Sequence, residues 1–339
     1  MAKIDIEWSK LGFEYIQTEY YVQSLFKNGK WGRIEKLKDP LIHFHIAATC
    51  LHYGQECFEG LKAFSQKDGS VKIFRPQANA ERMQRSAESI LMEKVPIDLF
   101  IEAVKEAIRS NRDYIPPYGT GSCLYIRPLL LGYSPHIGLK PAEEYLFLVL
   151  VTPVGPYYKR GIEPVKALVI EQYDRAAPRG LGNVKVGGNY AASLVSSKLA
   201  KQKGYPIVLY LDPLTHSYID EFGTSNFIGI TSNNEYITPD SPSILPSITN
   251  DSLQHIARDL GLKVIKEKVP YDSISNFAEI GACGTAAIIT PIYSITRNDV
   301  TITICQKDTA PQILTKLYNQ LLGIQYGDLP DRYNWMIPI

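Results

Sequence analysis

The chain is short of cysteine, of long apolar runs and of net charge, and each shortage closes off a class of protein. Its five cysteines (Cys50, Cys57, Cys123, Cys283 and Cys305) are an odd number, and no two have C-x-x-C spacing. This argues against a disulfide framework or a zinc site and favours a reducing compartment. The longest apolar run, Tyr145 to Val151, falls far short of the ~20 residues a membrane helix needs. The first residues alternate charged and apolar side chains with no apolar signal core, so a cytoplasmic protein is expected. Lys+Arg 36 against Asp+Glu 35 leaves a net charge of +1, which gives no electrostatic reason to expect nucleic acid or an anionic membrane as partner. There is no G-x-G-x-x-G, no P-loop and no Ser-His-Asp or Cys-His arrangement. His43 and His45 alternate as on a strand, but no third ligand follows at metal spacing, so no metal site is expected.

What remains is an ordinary globular composition, 45% hydrophobic and 21% charged, over 339 residues. Single cores stop growing at roughly 250–300 residues, so two domains are expected. Residues 79–94 show helical spacing in Met83, Ala87, Ile90 and Leu91, and a second helix is expected from Asp98 to Arg112. Two strand-like runs follow, 122–131 and 144–152. Residues 152–164 hold three prolines and two glycines, which suits a linker. The expected division is a small domain over 1–155, a linker over 156–163 and a large domain over 164–339 that carries Lys185. Beyond the linker, strand-like runs (165–171, 207–212, 227–231, 263–269) alternate with helical ones (191–203, 250–260, 310–322). The fold class is α+β.

Several clusters have the composition of a site. Lys185 sits in a glycine-rich stretch, Gly182-Asn-Val-Lys185-Val-Gly-Gly-Asn-Tyr190, where Gly187 and Gly188 permit close backbone approach. A lysine among apolar groups and another cation has a depressed pKa and can attack an aldehyde; otherwise it is a solvated loop lysine. Residues 245–251 lead into a helix expected to begin near Asn250, whose free N–H groups make either a phosphate site or a plain N-cap at Thr249 or Asn250. The small residues around Thr285 and Ala286 permit a turn that faces an anion, or merely tight packing. Arg82 projects from the 79–94 helix, either toward a phosphate or into solvent. Arg127 interrupts an apolar strand and shares a face with Tyr125, so it must be paired or functional. Glu221 reads as a loop carboxylate ahead of a strand.

In this order the motifs resemble those of the fold-type IV pyridoxal-phosphate enzymes, and within them the branched-chain aminotransferases. The resemblance spans nearly the whole chain: His52–Phe64, Phe74-Arg-Pro76 with Asn79–Met83, Tyr125–Pro128, Thr152–Tyr157, Lys185–Tyr190, Glu221 with Gly223–Asn226, Gly284–Ala286 and Gly323–Gly327. It implies a two-domain fold like that of D-amino-acid aminotransferase, with the cofactor at the domain interface, and a homodimer. It implies reversible, ping-pong transfer of an amino group between L-Leu, L-Ile or L-Val and 2-oxoglutarate. Lys185 would hold pyridoxal 5'-phosphate as a Schiff base and shuttle the proton. Glu221 would meet the pyridine nitrogen and Tyr190 the phenolic oxygen, with the phosphate on Arg82, Ile248, Thr249 and Thr285. Phe58, Tyr125, Tyr157, Tyr190 and Thr224 would line the side-chain pocket, with Phe13 near it. Arg127 would meet the distal carboxylate of glutamate. Thr285 and Ala286, with Tyr53 of the other subunit, would take the substrate carboxylate, and Ile137 and Leu139 of that subunit would close the pocket. A D-amino-acid transaminase or an aminodeoxychorismate lyase would share Lys185 and Glu221, and a non-catalytic relative would keep only the phosphate cup. The chain departs from the family where Ala287 and Thr290 replace a redox C-x-x-C, and where the phosphate loop reads Pro-Ser-Ile-Thr-Asn.

Overall fold

The computed structural model describes residues 6–156 and 162–339, which form two compact units. One unit takes Met1–Tyr157, Val184–Gly187 and Ile324–Ile339; the other takes Tyr158–Asn183 and Gly188–Gly323. This corrects the expected division twice. Val184–Gly187, with Lys185, belongs to the first unit and not to the 164–339 block, because its peptide groups bond to Ser86, Phe58 and Glu56 of that unit. The last sixteen residues belong there too: Met336–Pro338 pairs antiparallel with Val71–Phe74, and the Tyr326 hydroxyl donates to the Ser122 carbonyl at 3.1 Å. Most of the expected linker, residues 157–161, lies outside the described residues.

The first unit is an antiparallel nine-stranded sheet among the described residues. Its order is Met336–Pro338, Val71–Phe74, Leu61–Ser65, Cys123–Gly132, Tyr145–Val154, Tyr21–Lys27 and Lys30–Trp31; Glu56–Phe58 also pairs with Cys123–Gly132 and Glu35–Leu37 with Tyr21–Lys27. The helix Ile97–Ser110 buries Phe100, Ala103, Val104, Ala107 and Ile108, a stripe at helical spacing, in one core with Phe147, Val149 and Val151. The 79–94 pattern is realised as Pro76–Ser89: Pro76 suits the first helical position, and Leu91 with φ 54° lies beyond the helix end. His43 and His45 lie outside any strand.

Among the described residues, the second unit is a mixed ten-stranded sheet that curls on itself. Six strands form a closed ring in the order Ser225–Thr231, Phe277–Gly284, Ile288–Arg297, Val165–Val169, Ile207–Leu211 and Tyr218–Phe222, the last pairing back to the first. Closure leaves those strands without open edges, and Phe222, Phe227, Phe277, Ile280 and Ile292 share their core. The expected 191–203 helix is broken at Ser193 into Gly187–Ala192 and Leu194–Gln202. No described helix is long and apolar enough to cross a membrane.

Candidate active site

Lys185 is placed by its backbone. Its N–H donates to Ser86 Oγ at 3.1 Å, its carbonyl accepts from the Phe58 N–H at 3.1 Å, and the Gly187 N–H donates to Glu56 Oε1. Val184 and Val186 are buried on either side, which turns Lys185 the other way, its ammonium 4.8 Å from the centroid of the Phe58 ring. A Cβ at position 187 would overlap the Glu56 carboxylate, so any larger residue there would displace the acceptor of the Gly187 N–H.

Beneath this lysine lies a buried ion pair that the sequence did not announce. Arg82, 5% exposed, engages Glu59 through Nε to Oε1 and Nη2 to Oε2, both at 2.7 Å. Asn79 donates to Glu59 Oε2 at 2.7 Å. Burial opposes ionisation of Glu59, yet the charge and hydrogen bonds of Arg82 hold its carboxyl below the ordinary range. Arg82 is thus not the solvent-facing arginine that its helix position allowed: two of its donors are committed to Glu59.

The pair shapes the chemistry of Lys185. Burial first, and then the nearby charges of Arg82 and Arg127, push its amine down from 10.5 to about 8, against the opposing pull of Glu59 and Tyr125. Such an amine is deprotonated in about a quarter of molecules at pH 7.5, roughly two hundred times the fraction for an ordinary lysine. It is a nucleophile and a base at neutral pH.

Tyr125 and Arg127 share a strand face, as alternation predicted, and Arg127 Nη2 donates to the Tyr125 hydroxyl at 2.8 Å. The guanidinium lies 4.7 Å from the Phe58 ring centroid, and its buried Nε has no hydrogen-bond partner among the described residues. A buried charged donor left over in this way is a place for an anion. Gly60 is needed opposite, because a Cβ would overlap the Tyr125 hydroxyl. Phe13 packs edge-on to Tyr125 at 5.2 Å.

Within the second unit, Glu221 corrects its expected loop placement. It lies on the strand Tyr218–Phe222, is 4% exposed, and pairs with Arg175 Nη2 at 2.7 Å. The Leu245 N–H and Asn226 Nδ2 also donate to it, at 3.1 and 3.3 Å. The carboxylate is therefore held in place and charge-compensated. The helix at residues 248–259 starts earlier than expected, with Ser247 as its cap: the Ser247 hydroxyl accepts from the Asn250 N–H at 3.1 Å. Asn250 is turned into the core, bonded to Thr238 Oγ1 at 2.8 Å and to the Tyr236 hydroxyl at 2.6 Å. Ile248 and Thr249 thus form the first turn, at the positive end of the dipole. Thr285 and Ala286 sit in the turn between Phe277–Gly284 and Ile288–Arg297, as expected. Thr224 is exposed in the hairpin after Glu221, and Tyr190 lies on the helix Gly187–Ala192.

The residues expected to serve a neighbouring subunit group on the first unit's surface. Tyr53, Ile137 and Leu139 are 39%, 76% and 83% exposed, and the Tyr53 hydroxyl donates to the Ile137 carbonyl. Tyr157 lies outside the described residues. Glu59, Asn79, Ser86 and Arg175 are the supporting residues that sequence reasoning missed. For Glu59 the available signal was a carboxylate amid the apolar residues of Cys57–Phe64.

Comparison with known proteins gives a consistent set of likenesses. Residues 56–295 match the family model described as amino-transferase class IV. A branched-chain-amino-acid aminotransferase of Haemophilus influenzae is 48% identical, with 99% of each chain covered. One of Helicobacter pylori is 45% identical over 99% of this chain and 98% of its own. Among solved structures, a branched-chain amino acid aminotransferase of Escherichia coli superposes with a TM-score of 0.80 at 26% identity, covering 95% of this chain and 99% of that one.

Proposed function

The chain belongs to the class IV aminotransferases, and from that premise we propose that Lys185 and its neighbours carry out reversible amino transfer between L-Leu, L-Ile or L-Val and 2-oxoglutarate. The branched-chain transaminase activity rests on relatives 45% and 48% identical over almost the whole chain. The observation that carries the residue assignment is the Lys185 amine, pushed down to about 8 beside a buried Glu59–Arg82 pair and an Arg127 with a donor to spare.

The residues present fit pyridoxal 5'-phosphate: an amine able to condense with its aldehyde, a fixed carboxylate for its ring nitrogen, and a capped helix start for its phosphate. Bound there, the cofactor supplies an electron-withdrawing ring that makes the substrate Cα–H acidic. Lys185 Nζ would carry the proton between the substrate Cα and the cofactor's C4′ carbon within each half-reaction, in opposite directions in the two. Glu221, compensated by Arg175, would keep the ring nitrogen protonated, and Tyr190 would donate to the ring oxygen. Arg82, Ile248, Thr249 and Thr285 would take the phosphate.

Phe58 and Tyr125 offer apolar surface to a branched side chain, at roughly 25 cal/mol per Å² buried. Arg127 Nε meets the second carboxylate when glutamate or 2-oxoglutarate occupies the same place. By the resemblance, Thr224 would contribute to the side-chain pocket and Thr285 and Ala286 would bind the α-carboxylate. We assign the exposed Tyr53, Ile137 and Leu139 to the pocket of a second copy, in a cytoplasmic homodimer.

Turnover with 2-oxoglutarate, measured for Leu, Ile and Val and for their D-isomers, tests this directly. Activity confined to D-amino acids, or absent altogether, defeats the proposal. Borohydride trapping followed by peptide mapping must place the cofactor on Lys185.

A further inference from the structure

The second unit contains a cavity of about 640 Å³ that takes no part in the chemistry assigned above. It is bounded by residues 177–180, 212–215, 218–220 and 240–243, with Lys268. Much of its wall is apolar, from Pro178, Pro213, Leu214, Ile219 and Pro242. Asp220 also lines it, 4% exposed, and Asp220 Oδ1 has no hydrogen-bond partner among the described residues. A buried carboxylate without its full set of partners is costly, by about 1–3 kcal/mol, and a positive charge held close to it offsets that cost.

Both other carboxylates on the wall are engaged. Asp212 accepts the N–H groups of Thr215, Ser217 and Tyr218 at 2.8–2.9 Å, and Asp240 pairs with Lys266 at 3.0 Å. Lys268 lies 5.6 Å from the centroid of the Tyr218 ring. Asp220 itself is bonded to the Ser241 side chain, and burial raises its carboxyl to about 6, so it is ionised at neutral pH. Although Asp220 and Glu221 are consecutive, strand alternation gives them different faces, and Glu221 is held by the separate set Arg175, Leu245 and Asn226.

We propose that this cavity is a second ligand site, which takes a small organic ammonium: its charge beside the buried Asp220 carboxylate and its short apolar body against the proline, leucine and isoleucine wall. Arg179 and Lys268 on the same lining disfavour polyamines and select a single positive charge. The site is independent of the amino-transfer reading.

The test is calorimetric titration of the holoenzyme with N,N-dimethyl-3-methylbutylamine, a tertiary amine that cannot condense with the cofactor aldehyde. One site per chain is expected, with affinity unchanged by saturating 2-oxoglutarate. Asp220→Asn should weaken binding at least tenfold. Ala177→Trp, which fills the cavity from an exposed position, should abolish it and keeps the test open if Asp220→Asn folds poorly. Absence of binding to the unsubstituted protein, equal binding to both variants, or competition by 2-oxoglutarate would each overturn the proposal.

Discussion

Replacing Lys185 with methionine should abolish transamination and at the same time stabilise the cofactor-free protein at neutral pH. In an unfolded chain the lysine keeps its proton up to about pH 10.5; in the folded chain, only up to about 8. Folding therefore carries a charge-burial cost, fully present below pH 8, which declines as pH rises through the interval and is gone above 10.5. At about 1.4 kcal/mol per pH unit the cost is about 3 kcal/mol at pH 7 and about 1 kcal/mol at pH 10. Methionine matches the stem and removes the charge; it also gives up the ammonium's contact with the Phe58 ring, worth about 0.5–1 kcal/mol. A net gain of about 2 kcal/mol at pH 7 is expected, shrinking toward zero by pH 10. The assay is urea unfolding of the cofactor-free protein, Lys185→Met against the parent, at both pH values. A variant less stable than the parent at pH 7, or a gain that does not change with pH, would refute the idea that Lys185 is held against its preferred charge state.

Three other substitutions probe the surrounding charges. Arg127→Met should raise KM for 2-oxoglutarate about 10- to 100-fold, the equivalent of a lost charge-assisted bond, while KM for leucine moves less than threefold; equal effects on both substrates would remove Arg127 from its role. Glu59→Leu removes the carboxylate that compensates the buried Arg82 and should cost about 3–5 kcal/mol, whereas Glu59→Leu with Arg82→Met should recover most of it and lose cofactor affinity instead. Additive losses in that cycle, read from urea midpoints, would show that the pair is not coupled. Gly60→Ala drives a methyl into the Tyr125 hydroxyl and should cost about 1–3 kcal/mol, with a raised KM for glutamate; adding Tyr125→Phe should relieve both, and no relief would place the strain elsewhere.

Periodicity located the elements well because it is a local property. The runs around Val104, Leu148 and Leu253 carry their own spacing, and each lies in the predicted kind of element within a few residues. Pairing is not local, and no spacing reports it. Nothing near Met336 says that it will meet Phe74, and nothing in the loop before Lys185 says that Ser86 and Phe58 will take its peptide groups. Glu221 read as a loop because Asp220 and Glu221 interrupt the apolar pattern of their strand. The strand tolerates them because Arg175, Asn226 and Leu245 hold one, while Ser241 and a cavity receive the other.

Arg82 shows the same limit in energetic form. On a helix an arginine between polar neighbours belongs in solvent, and burying it is tolerable only if a carboxylate is buried with it. That carboxylate, Glu59, is 23 residues away, in the connection between the strands Glu56–Phe58 and Leu61–Ser65. The familiar motifs named the groups that would touch a cofactor or substrate; the compensating charges beneath them were invisible. Yet burial is also what gives the site its reactivity. It does most to bring the Lys185 amine's proton affinity close to working pH, with Arg82 next, while Glu59 and Tyr125 pull the other way. The same lysine in solvent, with its charge fully hydrated, would be an ordinary ammonium.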